Sequence, residues 1–171
     1  MIEIQAVEEG QYHPIIREMT WEYLQWANNK VQLNYGVSFD IAEMLDRDLQ
    51  ELSKFMPPSG RLLLGTIDGQ PAGIVYLKPA GDGCAEIKRM YVRPASRNLG
   101  LGRALLARLL VEAARLGYHC VRLDSARFMV EAHRLYRALG FHEIGPYAGS
   151  EVPPEYQSNW VFMEKELDPA E

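Results

Sequence analysis

The stretch Arg97-Asn98-Leu99-Gly100-Leu101-Gly102-Arg103 decides how this chain is read. It lies between an apolar run, Cys84 to Val92, and a helical pattern from Leu101 to Leu116. A strand that feeds a helix this way leaves the first helical N–H groups without carbonyl partners, at the positive end of the helix dipole. Gly100 and Gly102 let the backbone turn sharply and carry those amides close to a ligand. With Arg97 and Arg103 at either end, the stretch is expected to seat an anion, and a diphosphate suits it. An ordinary strand-to-helix turn contains the same glycines, so the surrounding chain has to arbitrate.

Before the loop, Ile2 to Val7 alternates as a strand, and Tyr12 to Val31 has helical spacing through Trp21, Leu24, Ala27 and Val31. A second helix opens at Asp40 with Glu43 three residues on, a capping-box pair. Ile41, Leu45, Leu49 and Leu52 form its apolar stripe, and Pro57-Pro58 stops it. Arg61 to Ile67 and Pro71 to Lys78 form a hairpin through Asp68-Gly69, and Gly81-Asp82-Gly83 turns into Cys84 to Val92. After the loop come a helix (Leu101 to Leu116), a strand (His119 to Asp124), a helix (Met129 to Leu139) and a strand (Phe141 to Gly145). A loop from Pro146 to Tyr156 leads to a last strand, Asn159 to Leu167. The order β-α-α-β-β-β-α-β-α-β-β predicts one mixed α/β domain over 1–171, antiparallel first and then crossing over to a parallel pair.

At 171 residues, with 47% apolar and 24% charged side chains, the chain has the composition of a globular protein able to bury a core. A net charge of −5 without a basic tract argues against nucleic acid as the main partner. The start, Met1-Ile2-Glu3-Ile4, reads as a strand rather than a secretory leader, and no run reaches membrane-spanning length, so the expected setting is cytoplasmic. Cys84 and Cys120 lack metal-type spacing and are expected as reduced, buried thiols; no metal site is expected.

Three motifs in this order resemble the GNAT superfamily of N-acetyltransferases. They are Ala85-Glu86-Ile87-Lys88-Arg89-Met90-Tyr91-Val92, then Arg97-Asn98-Leu99-Gly100-Leu101-Gly102, then Leu135-Tyr136-Arg137-Ala138-Leu139-Gly140-Phe141. The family loop is Gln or Arg, two residues, Gly, one residue, then Gly or Ala, matched by Arg97, Gly100 and Gly102. A Rossmann fold is excluded by the lack of Gly-x-Gly-x-x-Gly after a first strand. The resemblance implies a mostly antiparallel central sheet, splayed at one parallel pair and flanked by about four helices. It implies acetyl-CoA as donor, its diphosphate on the amides of Asn98, Leu99, Gly100, Leu101, Gly102, Arg103 and Ala104, and its pantetheine arm along Met90, Tyr91 and Val92.

Within that resemblance, Tyr136 is the expected acid for the departing thiolate, since a phenol stays protonated at neutral pH. Glu86 is the expected base for the amine, with an ion pair to Lys88 as its alternative, because alternation puts both on one side of the strand. The same alternation puts Ile87, Arg89 and Tyr91 together on the other side. The backbone N–H of Met90 or Tyr91 is implied as the oxyanion donor. Many relatives have Asn where this chain has Met129, which removes one hydrogen bond to the arm. His133 is the one of the four histidines placed to face a site, and Trp21, Tyr23 and Tyr147 are candidates to cage an amine or to pack. The reaction implied is transfer of acetyl to a primary amine of a small molecule, amino acid or peptide. A CoA-binding sensor without transfer activity is the alternative, and a homodimer through the aromatic, proline-rich tail region is a further expectation.

Overall fold

The computed structural model describes residues 1–8 and 14–169, so the start of the first helix at Tyr12, with His13, and the tail residues Ala170 and Glu171 lie outside the described residues. The elements follow the expected order: β1 (Ile2–Ala6), α1 (Pro14–Tyr35), α2 (Ile41–Gln50), β2 (Arg61–Ile67), β3 (Gln70–Pro79), β4 (Cys84–Val92), α3 (Leu101–Arg115), β5 (Cys120–Ala126), α4 (Val130–Ala138), β6 (His142–Ile144) and β7 (Trp160–Glu166). Short 3-10 turns at Leu52–Phe55, Pro94–Ser96 and Pro154–Asn159 link them. The first helix runs one turn past Val31, to Gly36 at φ +66. Asp40 caps α2 as expected, its side chain accepting from the Glu43 amide, but the helix ends at Gln50, and Leu52 falls in the 3-10 turn before the prolines. None of the described helices is long and apolar enough to cross a membrane.

The seven strands form one sheet in the order β1-β2-β3-β4-β5-β7-β6. Among the described residues only β4 and β5 run parallel, and their register has three rungs: Cys84 opposite Cys120, Ala85 opposite Val121 and Glu86 opposite Arg122. Past Glu86 the two strands part, although β4 continues to Val92 and β5 to Ala126. The sheet is therefore split by a V, closed at Cys84 and open at Val92.

Register also corrects the cysteines. Their positions on facing rungs bring the Cα atoms to 4.7 Å, and the two are joined as a disulfide rather than left as thiols. His119 lies beside them, the three potential ligand atoms within 4.8 Å of one another, but each sulfur is bonded to the other rather than held as a thiolate ligand.

Two apolar cores lie on opposite faces of the sheet. One joins Leu63, Val75, Leu77, Ala85 and Ile87 to α3 through Leu101, Leu105 and Leu109. The helix sits close because Gly65 and Gly73 present no side chain. A Cβ at Gly65 would stand 2.7 Å from Leu101 Cδ1, and one at Gly73 would stand 2.9 Å from Leu105 Cδ1. The other core joins Leu62, Leu64, Ile74, Tyr76 and Tyr91 to Ile16 and Met19 of α1.

Strand β4 departs from simple alternation at Arg89, whose φ is +52. Tyr76 pairs with Lys88 and Ile74 with Tyr91, so Val75 alone faces both Arg89 and Met90. One surplus residue inverts the phase of everything after it. Ile87 thus packs toward α3 and Tyr91 toward α1, not on the same side as alternation predicts.

Candidate active site

The open end of the V forms one side of a cavity of about 1270 Å³ that also takes in α1, α2, the start of α3 and α4. That volume accommodates a large ligand together with a second, small one. Among the expected residues, Met90, Tyr91, Val92, Arg97, Asn98, Gly100, Gly102, Arg103 and Tyr136 line it. Glu86, Leu99, Leu101 and Ala104 do not.

The loop behaves as its glycines predict. Gly100 is the N-cap of α3 at φ +89, Asn98 is also left-handed at φ +62, and no side chain caps the helix. The amides of its first turn are therefore available to a ligand, with one exception. The Ala104 amide donates to the Gly100 carbonyl at 3.1 Å, so it belongs to the helix ladder and corrects the expectation that it holds phosphate. Leu101 faces the core with its side chain, and Leu99 points to solvent. Arg97 is steadied by donating to the Val92 carbonyl at 3.0 Å and by stacking over Trp26, 5.0 Å from its ring centre. A Cβ on Gly102 would meet Leu135 and Met90 at 3.5 Å and Val92 at 3.7 Å, ordinary contact distances, and these four residues line the channel where the cavity passes between β4 and α4.

Tyr136, on α4, is buried and packs on Phe141, and its hydroxyl has no hydrogen-bond partner among the described residues. Burial, with Tyr23 and Asp124 nearby, raises its pKa well above the ordinary phenol value. It stays a proton donor across the working pH range. Met129 lines the cavity at the N-cap of α4 and accepts from the Ser125 hydroxyl through its sulfur at 3.6 Å. His133 turns away from the cavity: its Nε2 is 3.0 Å from Ser125 Oγ, and burial, then the Arg137 charge, lowers its pKa.

Glu86 is 1% exposed and is enclosed by protein. Its Oε2 accepts from Tyr147 at 2.7 Å, and its Oε1 lies 3.3 Å from Lys88 and 3.6 Å from Lys78. The ion pair, rather than contact with the cavity, is what the structure provides for it. Tyr147 is thereby used up as its cover, and Trp21 is also absent from the cavity wall; of the three aromatics expected to cage an amine, Tyr23 alone lines it.

Sequence reading missed a charged cluster at the inner end of the cavity. The inversion at Arg89 sends two consecutive cations, Lys88 and Arg89, to one carboxylate, Glu151. Glu151 Oε1 lies 3.4 Å from Lys88 Nζ and 2.7 Å from Arg89 Nη1. Arg89 also grips Asp48 of α2 with two bonds of 2.7 and 3.0 Å, and Lys88 reaches Asp124 Oδ2 at 3.5 Å, an atom that also accepts from Ser150 at 3.1 Å. Burial works against both cations, but Asp124, Glu151 and Glu86 outweigh it for Lys88, as Glu151 and Asp48 do for Arg89, and both stay charged. Burial likewise opposes charge on Glu151, yet Arg89 and Lys88 hold its carboxyl well below the usual range. The sequence does carry a signal, three charged residues in a row broken only by Ile87 inside a strand flanked by apolar ones. Their partner at 151 is not inferable from it.

Comparison with known proteins agrees with this geometry. Residues 15–141 match the model of the acetyltransferase (GNAT) family. An uncharacterised N-acetyltransferase of Schizosaccharomyces pombe is 32% identical over 97% of this chain and 95% of its own length. A solved GNAT-family acetyltransferase of Staphylococcus aureus superposes with a TM-score of 0.74 at 19% identity, over 98% of this chain and all (100%) of the other. A Salmonella typhimurium protein solved with its cofactor acetyl-CoA gives a TM-score of 0.61 at 22% identity, over 99% of this chain and 95% of that one.

Proposed function

The chain belongs to the acetyltransferase (GNAT) family, and on that premise we propose that it moves acetyl from acetyl-CoA directly onto a primary amine of a small molecule, amino acid or peptide end, with both substrates in the cavity together. Acetyl-CoA supplies the acetyl group already activated as a thioester. The uncapped start of α3 is the seat of its diphosphate, through amides of Asn98 to Arg103 with Arg97 and Arg103 alongside. The channel beside Gly102, lined by Met90, Val92 and Leu135, takes the pantetheine arm. The edge of β4 that β5 abandons past Glu86 offers that arm unpaired backbone groups, as an added strand would require. The N–H of Met90 or Tyr91 then stands to stabilise the carbonyl oxygen as it gains charge.

The Tyr136 hydroxyl protonates the departing thiolate. Asp124, a carboxylate on the cavity wall, takes the proton from the amine in place of the enclosed Glu86, whose charge instead holds Lys88. The observation that carries the reading is the convergence, on one cavity, of a bare helix start, an unpaired strand edge and a buried phenol. Thiol release measured with acetyl-CoA across an amine panel tests it. Amine-dependent release is expected, and Tyr136→Phe should lower kcat about 100-fold with the CoA dissociation constant unchanged. Tight CoA binding without amine-dependent release would instead make the chain a CoA-binding module.

A further inference from the structure

Resting on the transferase reading, we propose that Glu151 is a tethered stand-in for the substrate's own carboxylate, so that the acceptor is an amine that also bears a carboxylate and Lys88, Arg89 and Arg47 are its subsite. Four carboxylates surround these cations. Glu86 and Asp124 are on strands, Asp48 is on a helix, and their side chains are 2%, 10% and 8% exposed. Glu151 alone sits on the loop between β6 and β7, and its side chain is 32% exposed at the cavity wall. It is the one member of the cluster able to leave without unpacking an element.

What it would leave behind is a built anion site. Arg89 keeps its two bonds to Asp48 and still presents Nη1 and Nη2, which now touch Glu151 at 2.7 and 3.4 Å. Lys88 presents Nζ, and Arg47, half-exposed and 3.9 Å from Glu151, completes the ring from α2. With Glu151 withdrawn, Lys78, Lys88, Arg89 and Arg47 outnumber Glu86, Asp48 and Asp124 by one charge. A carboxylate restores balance there, whereas a second ammonium group of a diamine would be repelled.

The distances also fit one small molecule. Lys88 Nζ is 3.4 Å from the Glu151 oxygen and 3.5 Å from the Asp124 oxygen, so a single ammonium divides the position of the carboxylate from that of the proposed base. Both positions, each within 3.5 Å of one ammonium, therefore lie within reach of a single small molecule that carries an amino group and a carboxylate. Arg89 matches a carboxylate with parallel donors, which an amide or an alcohol does not exploit as well.

The test compares glycine, L-methionine, L-glutamate and L-phenylalanine with their α-carboxamides as acceptors, reading the ratio of kcat/KM for acid over amide. The acid is expected to be preferred at least tenfold. Glu151→Gln should raise that ratio about fivefold by removing the competing carboxylate, and Arg47→Gln, at a half-exposed position of α2, should lower it about tenfold. A wild-type ratio near one, or two variants that leave the ratio unmoved, overturns the subsite while leaving the transferase standing. A second readout needs no turnover: in the presence of CoA, N-acetylmethionine should raise the melting temperature more than N-acetylmethioninamide, and Arg47→Gln should abolish the difference. That difference without any amine-dependent thiol release would keep the subsite and overturn the transferase reading; its absence overturns the subsite.

Discussion

The two ends of the β4–β5 pair are built from opposite materials. At the closed end, three rungs, a disulfide and the enclosed Glu86 tie the strands together. At the open end the same strands lose each other and are lined instead by bare amides, a glycine channel and polar side chains. The contrast separates labour. The closed end spends its residues on holding the sheet, which leaves the open end able to keep backbone groups unpaired without the sheet coming apart. Removing a group should therefore cost stability at one end and chemistry at the other.

The sharpest way to break this division is to exchange the carboxylates. Asp124→Asn should lower kcat about 100-fold, while Glu86→Gln should change kcat less than fivefold and lower the melting temperature instead. Steady-state rates and thermal melts on the two variants decide it, and a larger kcat loss for Glu86→Gln would return the base to the closed end. Next, Cys84→Ser with Cys120→Ser opens a crosslink spanning a sequence separation of 36. Loop-closure entropy then predicts a loss of about 4 kcal/mol, roughly 8–16 °C in melting temperature, with kcat within twofold. Gly102→Val acts in the converse sense: its side chain enters the channel, and the CoA dissociation constant should rise about 30-fold, equivalent to ~2 kcal/mol, while the melting temperature stays put.

The smallest effect concerns acid. His133 is buried and its pKa lies below the ordinary value, so the folded protein binds fewer protons there than the unfolded chain as pH falls. Its contribution is present above about pH 6.5 and is lost as the pH drops from there toward its folded value. Melts between pH 7 and pH 5.5 should show a decline that His133→Gln flattens, with no matching change in the acid-to-amide preference.

Most of the fold was legible because its determinants are local. The Asp40 cap, the Asp68-Gly69 turn and the Gly100 start of α3 act within a few residues, and the structure realises each. The candidate site divides along the same line. The residues proposed for the donor, on one loop, one strand and Tyr136, were legible and fall on one cavity, apart from Leu99, Leu101 and Ala104, which do not line it. The charged cluster proposed for the acceptor was not legible, because it depends on register. The disulfide exists because Cys84 happens to face Cys120, and the Glu151 contacts exist because Arg89 breaks the alternation that put it on Ile87's side. Pairings 36 or 62 residues apart leave no periodic trace in the chain.

The surplus residue in β4 has one more effect. It divides a single strand into two segments that obey opposite inside-outside rules, Ala85 and Ile87 set against Tyr91. On the readings proposed above, substitutions at 88 or 89 would alter the acceptor subsite without touching the stretch proposed to hold the coenzyme. A deletion of one residue between them would transpose the two vocabularies and lose both.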